Sequence, residues 1–154
     1  VAVRTNVKIV LEMVANKAGA LTYETPEKID HVTELIGDGP WGWCIDTAHL
    51  WGAGVDVKKY ASMAGWLERL QHKDRVLQIH LNGSSAARAS GKDKHEIAFS
   101  PDDLIWYKVK PDESGLKAIV EFALEHKLTV TLEVNRGAEK YTRALLAILN
   151  GWAE

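Results

Sequence analysis

Four short apolar runs divide the chain, and amphipathic stretches lie between and after them. The runs are rich in β-branched and aromatic residues and lack strict alternation with polar residues, a pattern typical of parallel strands covered on both faces. They span residues 7–13, 41–46, 75–81 and 128–134. We predict one β-strand in each run.

Apolar residues recur at helical spacing after each predicted strand. The first helix is expected to open at Pro26, after Thr25, and to end at Gly37, because proline favours the first helical position and glycine the position beyond the last. Asp56 can cap a second helix. The apolar faces of the second, third and fourth helices comprise Tyr60, Met63, Leu67 and Leu70, then Leu116, Ile119, Val120 and Ala123, then Tyr141, Leu145, Ile148 and Leu149.

The predicted order is therefore strand then helix, four times over. One long insert, at about residues 83–111, follows the third strand, and a short helix is expected to start within it at Ser100 and Pro101. Repeated βα units predict a parallel sheet, either a doubly wound open sheet or half of a (β/α)8 barrel, which as a whole takes about 250 residues. No glycine-rich phosphate-binding pattern follows the first strand, which disfavours a dinucleotide-binding fold.

Length and composition predict one compact unit over residues 1–154. The chain has 154 residues and is 46% hydrophobic, enough to bury a core. It begins with Val1 rather than methionine, so we expect that it was cut from a longer protein or processed. No apolar run approaches the roughly 20 residues that span a bilayer, and we expect a soluble protein with no membrane partner.

Charge and cysteine content narrow the function further. The formal net charge is -2 and the sequence pI is about 6.3, unlike the basic surface of a general nucleic-acid binder. Any contact with DNA must then be local, or be helped by bound metal cations. Cys44 is the single cysteine, which excludes a disulfide framework and fits a reducing, cytoplasmic compartment.

Each predicted strand ends in a side chain that can bind a metal ion. These residues are Glu12, Asp46, His80 and Glu133. The same 34-residue interval separates the first from the second and the second from the third, and the carboxyl ends of parallel strands meet on one face. A lone acidic residue there is most often a helix cap or a surface group, and a lone histidine is more often hydrogen-bonded and half-buried. Four together favour a metal site, and carboxylates with one imidazole suit zinc or manganese.

Three further residues predict a second metal site. His49 follows Asp46 in the turn after the second strand, and Asp93 and His95 form a D-x-H pair in the long insert. Alternation by two can point both side chains of that pair at one ion. A solvated polar loop is the alternative explanation, although loops of this length are commonly functional or disordered.

Several motifs resemble those of the endonuclease IV family of apurinic/apyrimidinic endonucleases, which are xylose-isomerase-like TIM barrels. The strongest is CIDTAH at residues 44–49 with AGVD at 53–56, close to the family's C-x-D-T-C-H and A-G-Y-D. Weaker matches are HLN at 80–82 with Ser84, DKH at 93–95 and LE at 132–133. The resemblance covers nearly the whole chain, but only the second half of a family member.

This resemblance implies the C-terminal half of a (β/α)8 barrel and a zinc-dependent hydrolysis of the DNA phosphodiester 5′ to an abasic site, with metal-activated water. Glu12 and Glu133 would be catalytic, and Glu12 would bridge metal ions. One zinc site would be completed by Asp46, His80 and Glu133, and another would be held by His49, Asp93 and His95. The family's third site needs histidines from earlier strands and is incomplete here; manganese is the alternative metal.

The chain departs from the family pattern around the predicted substrate contacts. Gly83 replaces the aspartate that usually follows Asn82, Ser85 replaces a lysine, and the glycines that normally follow D-R-H are missing from residues 97–102. Lys94 replaces an arginine, which keeps a phosphate-binding charge but loses the bidentate fork. Asn82, Lys94 and Trp51 are the candidate substrate contacts. Trp51 either stacks on DNA or packs under the insert.

Two other functions remain open. A sugar isomerase or epimerase of the same superfamily would use one metal at the four strand ends and would not need His49, Asp93 or His95. Alternatively, the chain is an inactive, truncated domain. Half a barrel exposes two sheet edges, so we expect either a homodimer or association with a missing N-terminal half.

Overall fold

The computed structural model describes residues 7–15, 23–133 and 139–153. Its strands are β1 (Ile9–Glu12), β2 (Trp41–Asp46), β3 (Val76–His80), β4 (Gly83–Ser84), β5 (His95–Glu96) and β6 (Thr129–Thr131). Its helices are α1 (Pro26–Ile36), α2 (Thr47–Gly52), α3 (Tyr60–Arg69), α4 (Gly115–His126) and α5 (Glu139–Ala153), with 3-10 turns at Lys73–Arg75 and Pro111–Glu113. Among the described helices, none is long and apolar enough to cross a membrane.

The main sheet has four parallel strands in the order β1-β2-β3-β6. The four predicted strands are all present, but three are shorter than predicted, because residues at their ends extend beyond the hydrogen-bonded ladder. Val134, the last residue of the fourth predicted strand, lies outside the described residues. The α/β class with a parallel sheet is thus confirmed.

The two faces of this sheet have different chemistry. Side chains alternate along a strand, so Trp43 and Ile45 of β2 lie on one face with Ile79 of β3, and all three are almost fully buried. This face packs against the helices, where Met63, Leu116 and Ile119 are also fully buried. The opposite face carries polar residues in register: Cys44 and Asp46 of β2 beside Gln78 and His80 of β3. The sheet therefore separates the apolar core from a polar surface.

The first helix begins as predicted, and the second does not. The Thr25 side chain accepts a hydrogen bond from the backbone N–H of Lys28, and Pro26 occupies the first turn. The prediction that Asp56 caps the second helix is wrong. Helix α3 begins at Tyr60 after Lys59, whose backbone is held extended by a bridge to Ser114, and Asp56 instead accepts from the backbone N–H of Lys58.

The segment after β2 and the long insert also differ from the predictions. His49 lies in helix α2 rather than in a turn. The short helix predicted at Ser100 and Pro101 is wrong, because residues 98–108 form successive turns around the buried carboxylate of Asp103. That carboxylate accepts hydrogen bonds from four backbone N–H groups, those of Ser84, Phe99, Ile105 and Trp106. The antiparallel pair β4-β5 joins the start of the insert to its middle, where His95 lies.

Candidate metal centre

The four strand-end residues predicted as one metal site converge in the structure. One ligand atom from each of Glu12, Asp46, His80 and Glu133 lies within 4.8 Å of the others. His80 is central, because its Nδ1 lies 2.9 Å from Glu12 Oε1 and 3.1 Å from Glu133 Oε2. Parallel pairing brings these side chains together, since Asp46 is the register partner of His80 and β1 and β6 flank the pair.

The second predicted group also assembles, at the side of the first. His49 Nε2 lies 3.3 Å from Asp93 Oδ1, and His95 Nε2 lies 3.0 Å from the same oxygen. The two ring nitrogens are 3.4 Å apart. The β4-β5 pair places His95 at this position, since it pairs Ser84, which follows β3, with His95.

Asp46 belongs to both groups. Its ligand oxygens lie within 4.8 Å of His49 and His95 as well as of the first set. It is also the N-cap of α2, because its Oδ1 accepts from the His49 backbone N–H at 2.8 Å. The capping role and the site role, treated as alternatives from the sequence, are thus combined in one residue. The bridging role that the resemblance implies for Glu12 stays a prediction, and Asp46 is a carboxylate shared between the two described groups.

A backbone contact orients the His49 ring. Its Nδ1 lies 2.5 Å from the carbonyl oxygen of Met13, which can only accept a hydrogen bond. The ring proton is therefore held on Nδ1, and the lone pair of Nε2 points toward Asp93 and His95. Such a contact to the second ring nitrogen is how proteins usually orient a histidine ligand.

Burial and neighbouring charges shift three pKa values in the centre. Burial raises the pKa of Asp46, although His49 and its backbone N–H oppose the shift. Burial opposes protonation of His49, but the charge of Asp46, the Met13 carbonyl and the charge of Asp93 outweigh it and raise the pKa of His49. Burial, and then the charges of Glu12 and Asp46, raises the pKa of the Cys44 thiol to about 12. A bound cation would act in the opposite direction on each of these groups.

Asn82 is fully buried and holds two carboxylates of the centre. Its amide N–H2 donates to Asp46 Oδ2 at 2.8 Å and to Glu133 Oε2 at 3.1 Å. Its amide oxygen accepts from the Glu133 backbone N–H at 3.0 Å. Thr47 holds the Asn82 backbone in turn, donating to its carbonyl and accepting from its N–H. All side-chain polar atoms of Asn82 are therefore engaged within the protein, which favours a positioning role over contact with substrate.

The other two predicted substrate contacts differ in accessibility. Lys94 is exposed, between Asp93 and His95. Trp51 is only 8% exposed, and its Nε1–H donates to the carbonyl of Ala86 at 2.9 Å. The indole thus packs under the insert, which is the second of the two roles that the sequence left open for Trp51. Stacking of Trp51 on DNA stays a prediction that this packing disfavours.

The structure gives a reason for glycine at position 83. A β-carbon there would lie 2.7 Å from both Cγ and Oδ1 of Asp103. The Asp103 carboxylate thus fills the space that a side chain at position 83 would need. In this chain, a buried carboxylate from the insert lies beside the position where the family pattern has an aspartate.

The donor atoms of the centre suit divalent metal ions. Four carboxylates and three imidazoles converge, and the described residues bring no lysine or arginine within ion-pair distance of these carboxylates. So many acidic groups repel one another unless a cation lies between them. Carboxylate and imidazole ligands are those that zinc and manganese prefer. The exposure of Glu12 and Glu133, 39% each, leaves the centre open to a ligand.

Two supporting residues were missed in the sequence. Thr47 follows a predicted ligand directly, and Gln78 precedes His80 by two positions, on the same face of β3. The period of two along a strand was the signal that could have found Gln78. The carbonyl of Met13 could not have been found, because its contact depends on how β1 lies against α2.

The fold and site together define an α/β protein with a candidate metal centre at the carboxyl ends of its parallel strands. No family model matches the chain. A probable AP endonuclease of African swine fever virus (isolate Pig/Kenya/KEN-50/1950) is 33% identical over 150 residues, which are 91% of this chain and 50% of the relative. A probable endonuclease 4 of Metamycoplasma arthritidis is 33% identical over 90 residues, 58% of this chain and 32% of the relative.

Solved structures give the same result. The crystal structure of AsfvAP:AG matches with a TM-score of 0.86 and 30% identity, over 96% of this chain and 54% of that one. Endonuclease IV from Thermus thermophilus matches with a TM-score of 0.69 and 25% identity, over 98% of this chain and 53% of that one. A D-tagatose 3-epimerase-like protein, at 19% identity and a TM-score of 0.60, shares the fold.

These matches confirm the resemblance to the endonuclease IV family. The chain is related to proteins named AP endonuclease and endonuclease 4 by both sequence and fold. It spans about half the length of the curated relatives it matches. The prediction of half a barrel is confirmed to that extent, since the parallel sheet corresponds to about half of these TIM-barrel structures.

Proposed function

We propose that this chain provides part of the active centre of a zinc-dependent endonuclease that hydrolyses the DNA phosphodiester 5′ to abasic sites, in DNA repair. The observation that carries the proposal is the convergence of seven ligand side chains at the carboxyl ends of the sheet. They are Glu12, Asp46, His49, His80, Asp93, His95 and Glu133. The names of the relatives supply the substrate class.

The second ligand group favours a nuclease over a sugar isomerase or epimerase. A single-metal sugar enzyme needs the four strand-end residues, but it has no use for His49, Asp93 and His95. These three lie within 3.4 Å of one another, beside the first group rather than scattered in a polar loop. Two adjacent cation sites suit phosphodiester hydrolysis, in which both the attacking and the leaving oxygen need stabilisation.

Zinc, or manganese in its place, would supply Lewis-acid chemistry that activates water and neutralises charge on the leaving oxygen. The chain's own residues supply the rest. Asn82 and the Met13 carbonyl fix the orientation of ligands. Glu12 and Glu133, the two most exposed ligands of the first group, can accept a proton from water. Lys94 offers an exposed positive charge to a phosphate next to the second group.

A complete active centre needs a partner in this proposal. We propose that either a second copy of the chain or a separate N-terminal half completes the barrel, because the sheet has open edges at β1 and β6 among the described residues. A reducing, cytoplasmic compartment is part of the proposal, since Cys44 is buried as a free thiol.

The test is incision of a DNA duplex that contains one abasic-site analogue. The zinc-loaded chain, alone and mixed with the N-terminal half of a relative, is expected to cut 5′ to the lesion and to leave undamaged duplex intact. His95→Gln is the matched variant. It keeps the strand-end group intact and removes one ligand of the second group, so its incision activity, compared with that of the unmodified chain, tests whether the second group is needed. Turnover of a ketose by the same preparations, without incision, would favour the epimerase alternative.

A further inference from the structure

Two polar side chains lie beneath the metal centre, on the same face of the sheet as its ligands. Gln78 precedes His80 on β3, and Thr131 is the register partner of His80 on β6. The carboxamide nitrogen of Gln78 lies 2.9 Å from Thr131 Oγ1 and 3.2 Å from His80 Nε2. Neither Gln78 nor Thr131 is in the ligand set, and no role for them follows from the family motifs in the sequence.

The orientation of the His80 ring explains what the contact with Gln78 can do. Its Nδ1 faces the carboxylates of Glu12 and Glu133, so Nδ1 is the nitrogen that would meet a cation between them. A neutral imidazole carries one proton. If the Nδ1 lone pair is given to a metal, the proton must be on Nε2, where it needs a hydrogen-bond acceptor. Gln78 is the side chain that Nε2 faces.

The carboxamide can provide that acceptor. A half turn about its last side-chain bond exchanges the amide oxygen and nitrogen, which occupy nearly the same volume. With the oxygen toward the ring, the carboxamide accepts from His80 Nε2–H. The Thr131 hydroxyl is satisfied in both orientations, because it can donate to the oxygen or accept from the nitrogen. Thr131 can therefore hold the carboxamide in place without dictating which end faces the ring.

We propose that Gln78, held by Thr131, is a positioning residue that accepts the Nε2–H of His80 and thereby keeps the Nδ1 lone pair directed at the metal ion. The inference rests on the metal centre of the proposed function and adds the residue that selects the tautomer of its central ligand. His49 has the equivalent partner in the Met13 carbonyl. The partner of His80 is a side chain, which substitution can alter.

The experiment compares zinc affinity, by chelator competition, in the unmodified 154-residue chain and in three variants. Gln78→Glu keeps an acceptor and removes the donor, so it is expected to bind zinc at least as tightly as the unmodified chain. Gln78→Leu removes the acceptor and is expected to lose about 10- to 100-fold in affinity, as is usual for partners of ligating histidines. Gln71→Leu is the matched control, because residue 71 is exposed and away from the centre, and its affinity should not change. Circular dichroism checks that each variant folds.

Nitrogen NMR of the histidine rings supplies a second measurement, with His80→Gln to assign the signals. The zinc-loaded protein is expected to show the His80 proton on Nε2, and Thr131→Ser is expected to retain this signature. The inference is overturned if Gln78→Leu binds zinc as tightly as the unmodified chain, or if Gln78→Glu loses as much affinity as Gln78→Leu. If the unmodified chain takes up no zinc, the metal centre itself fails, and this inference fails with it.

Discussion

At the scale of single residues, the candidate centre depends on side chains that hold its ligands as much as on the ligands. Asp46 is fully buried, and burial raises its pKa, so its charged form depends on stabilisation by neighbouring groups. It receives hydrogen bonds from Asn82 and from the His49 backbone. Buried carboxylates of this kind tolerate the loss of a donor poorly, because no water can replace it.

Replacing Asn82 by leucine tests this dependence. The Asn82→Leu variant removes the donor to Asp46 and Glu133 and keeps the number and branching of the side-chain heavy atoms. We expect a decrease in the free energy of unfolding of about 1–3 kcal/mol, and a loss of zinc affinity of roughly 10- to 100-fold. Urea unfolding and chelator competition measure the two effects. Asn150→Leu, on the exposed side of α5, is the control and should change neither quantity. Unchanged zinc affinity in Asn82→Leu would show that Asp46 and Glu133 bind zinc equally well without the hydrogen bonds from Asn82.

Because the pKa of His49 is raised, a rise in pH should lower the stability of the metal-free protein and increase its affinity for zinc. In metal-free protein, a histidine whose folded pKa lies above its ordinary 6.5 stabilises the fold below that value and loses the contribution as the pH rises through the folded pKa. As the pH rises from 6.5 through the folded pKa, the unmodified chain should therefore lose more stability than His49→Gln. Zinc affinity should rise over the same range, because the metal binds the deprotonated ring. Parallel pH profiles for the two proteins, measured by urea unfolding with chelator, would contradict the first expectation.

At the scale of elements, the insert after β3 is organised by one buried carboxylate. Asp103 binds backbone N–H groups from both ends of the turn region and lies against Gly83. This arrangement fixes the β4-β5 pair, which in turn places His95. The positions of Asp93 and His95 in the second ligand group thus depend on how the insert folds, in contrast to the first group, which follows from strand register.

Adding a methyl group at position 83 tests this account. Gly83→Ala would force its β-carbon against the Asp103 carboxylate, so we expect a loss of about 1–3 kcal/mol in the free energy of unfolding. Gly65→Ala is the matched control, since a β-carbon in helix α3 meets no atom within 4 Å. That variant should gain roughly 0.5–1 kcal/mol, because alanine favours the helix. Equal stability of the two variants would mean that the insert adjusts freely around position 83.

At the scale of the whole molecule, the part of the sheet that the structure describes has open edges at β1 and β6, and β1 is an exposed apolar strand. The side chains of Ile9 and Val10 in β1 are 52% and 39% exposed, although this strand pairs with β2 along its whole length. Apolar edge strands usually pair with, or are covered by, another part of the structure. The chain also spans about half the length of its curated relatives, which agrees with a surface that another half covers.

Native mass spectrometry tests the completion of the barrel. We expect a dimer or larger assembly with about two zinc ions per chain. Val10→Lys places a charge on the exposed edge and should shift the assembly toward monomer. Lys8→Ala, a change of charge outside the strand, is the control. A monomeric unmodified chain would refute the homodimer and leave association with a separate half as the alternative.

The strands, most of the helices and the identity of the candidate ligands could be predicted from the sequence alone. Period and spacing are local properties, so the strand-end positions of Glu12, Asp46 and His80 could be predicted from the repeat interval. Contacts between distant segments could not. The folded structure was needed to establish that Asp46 belongs to both groups, that Trp51 is buried beneath the insert and that no helix begins at Pro101. Those outcomes depend on which backbone N–H groups and apolar surfaces meet after folding, and no local pattern in the chain encodes them.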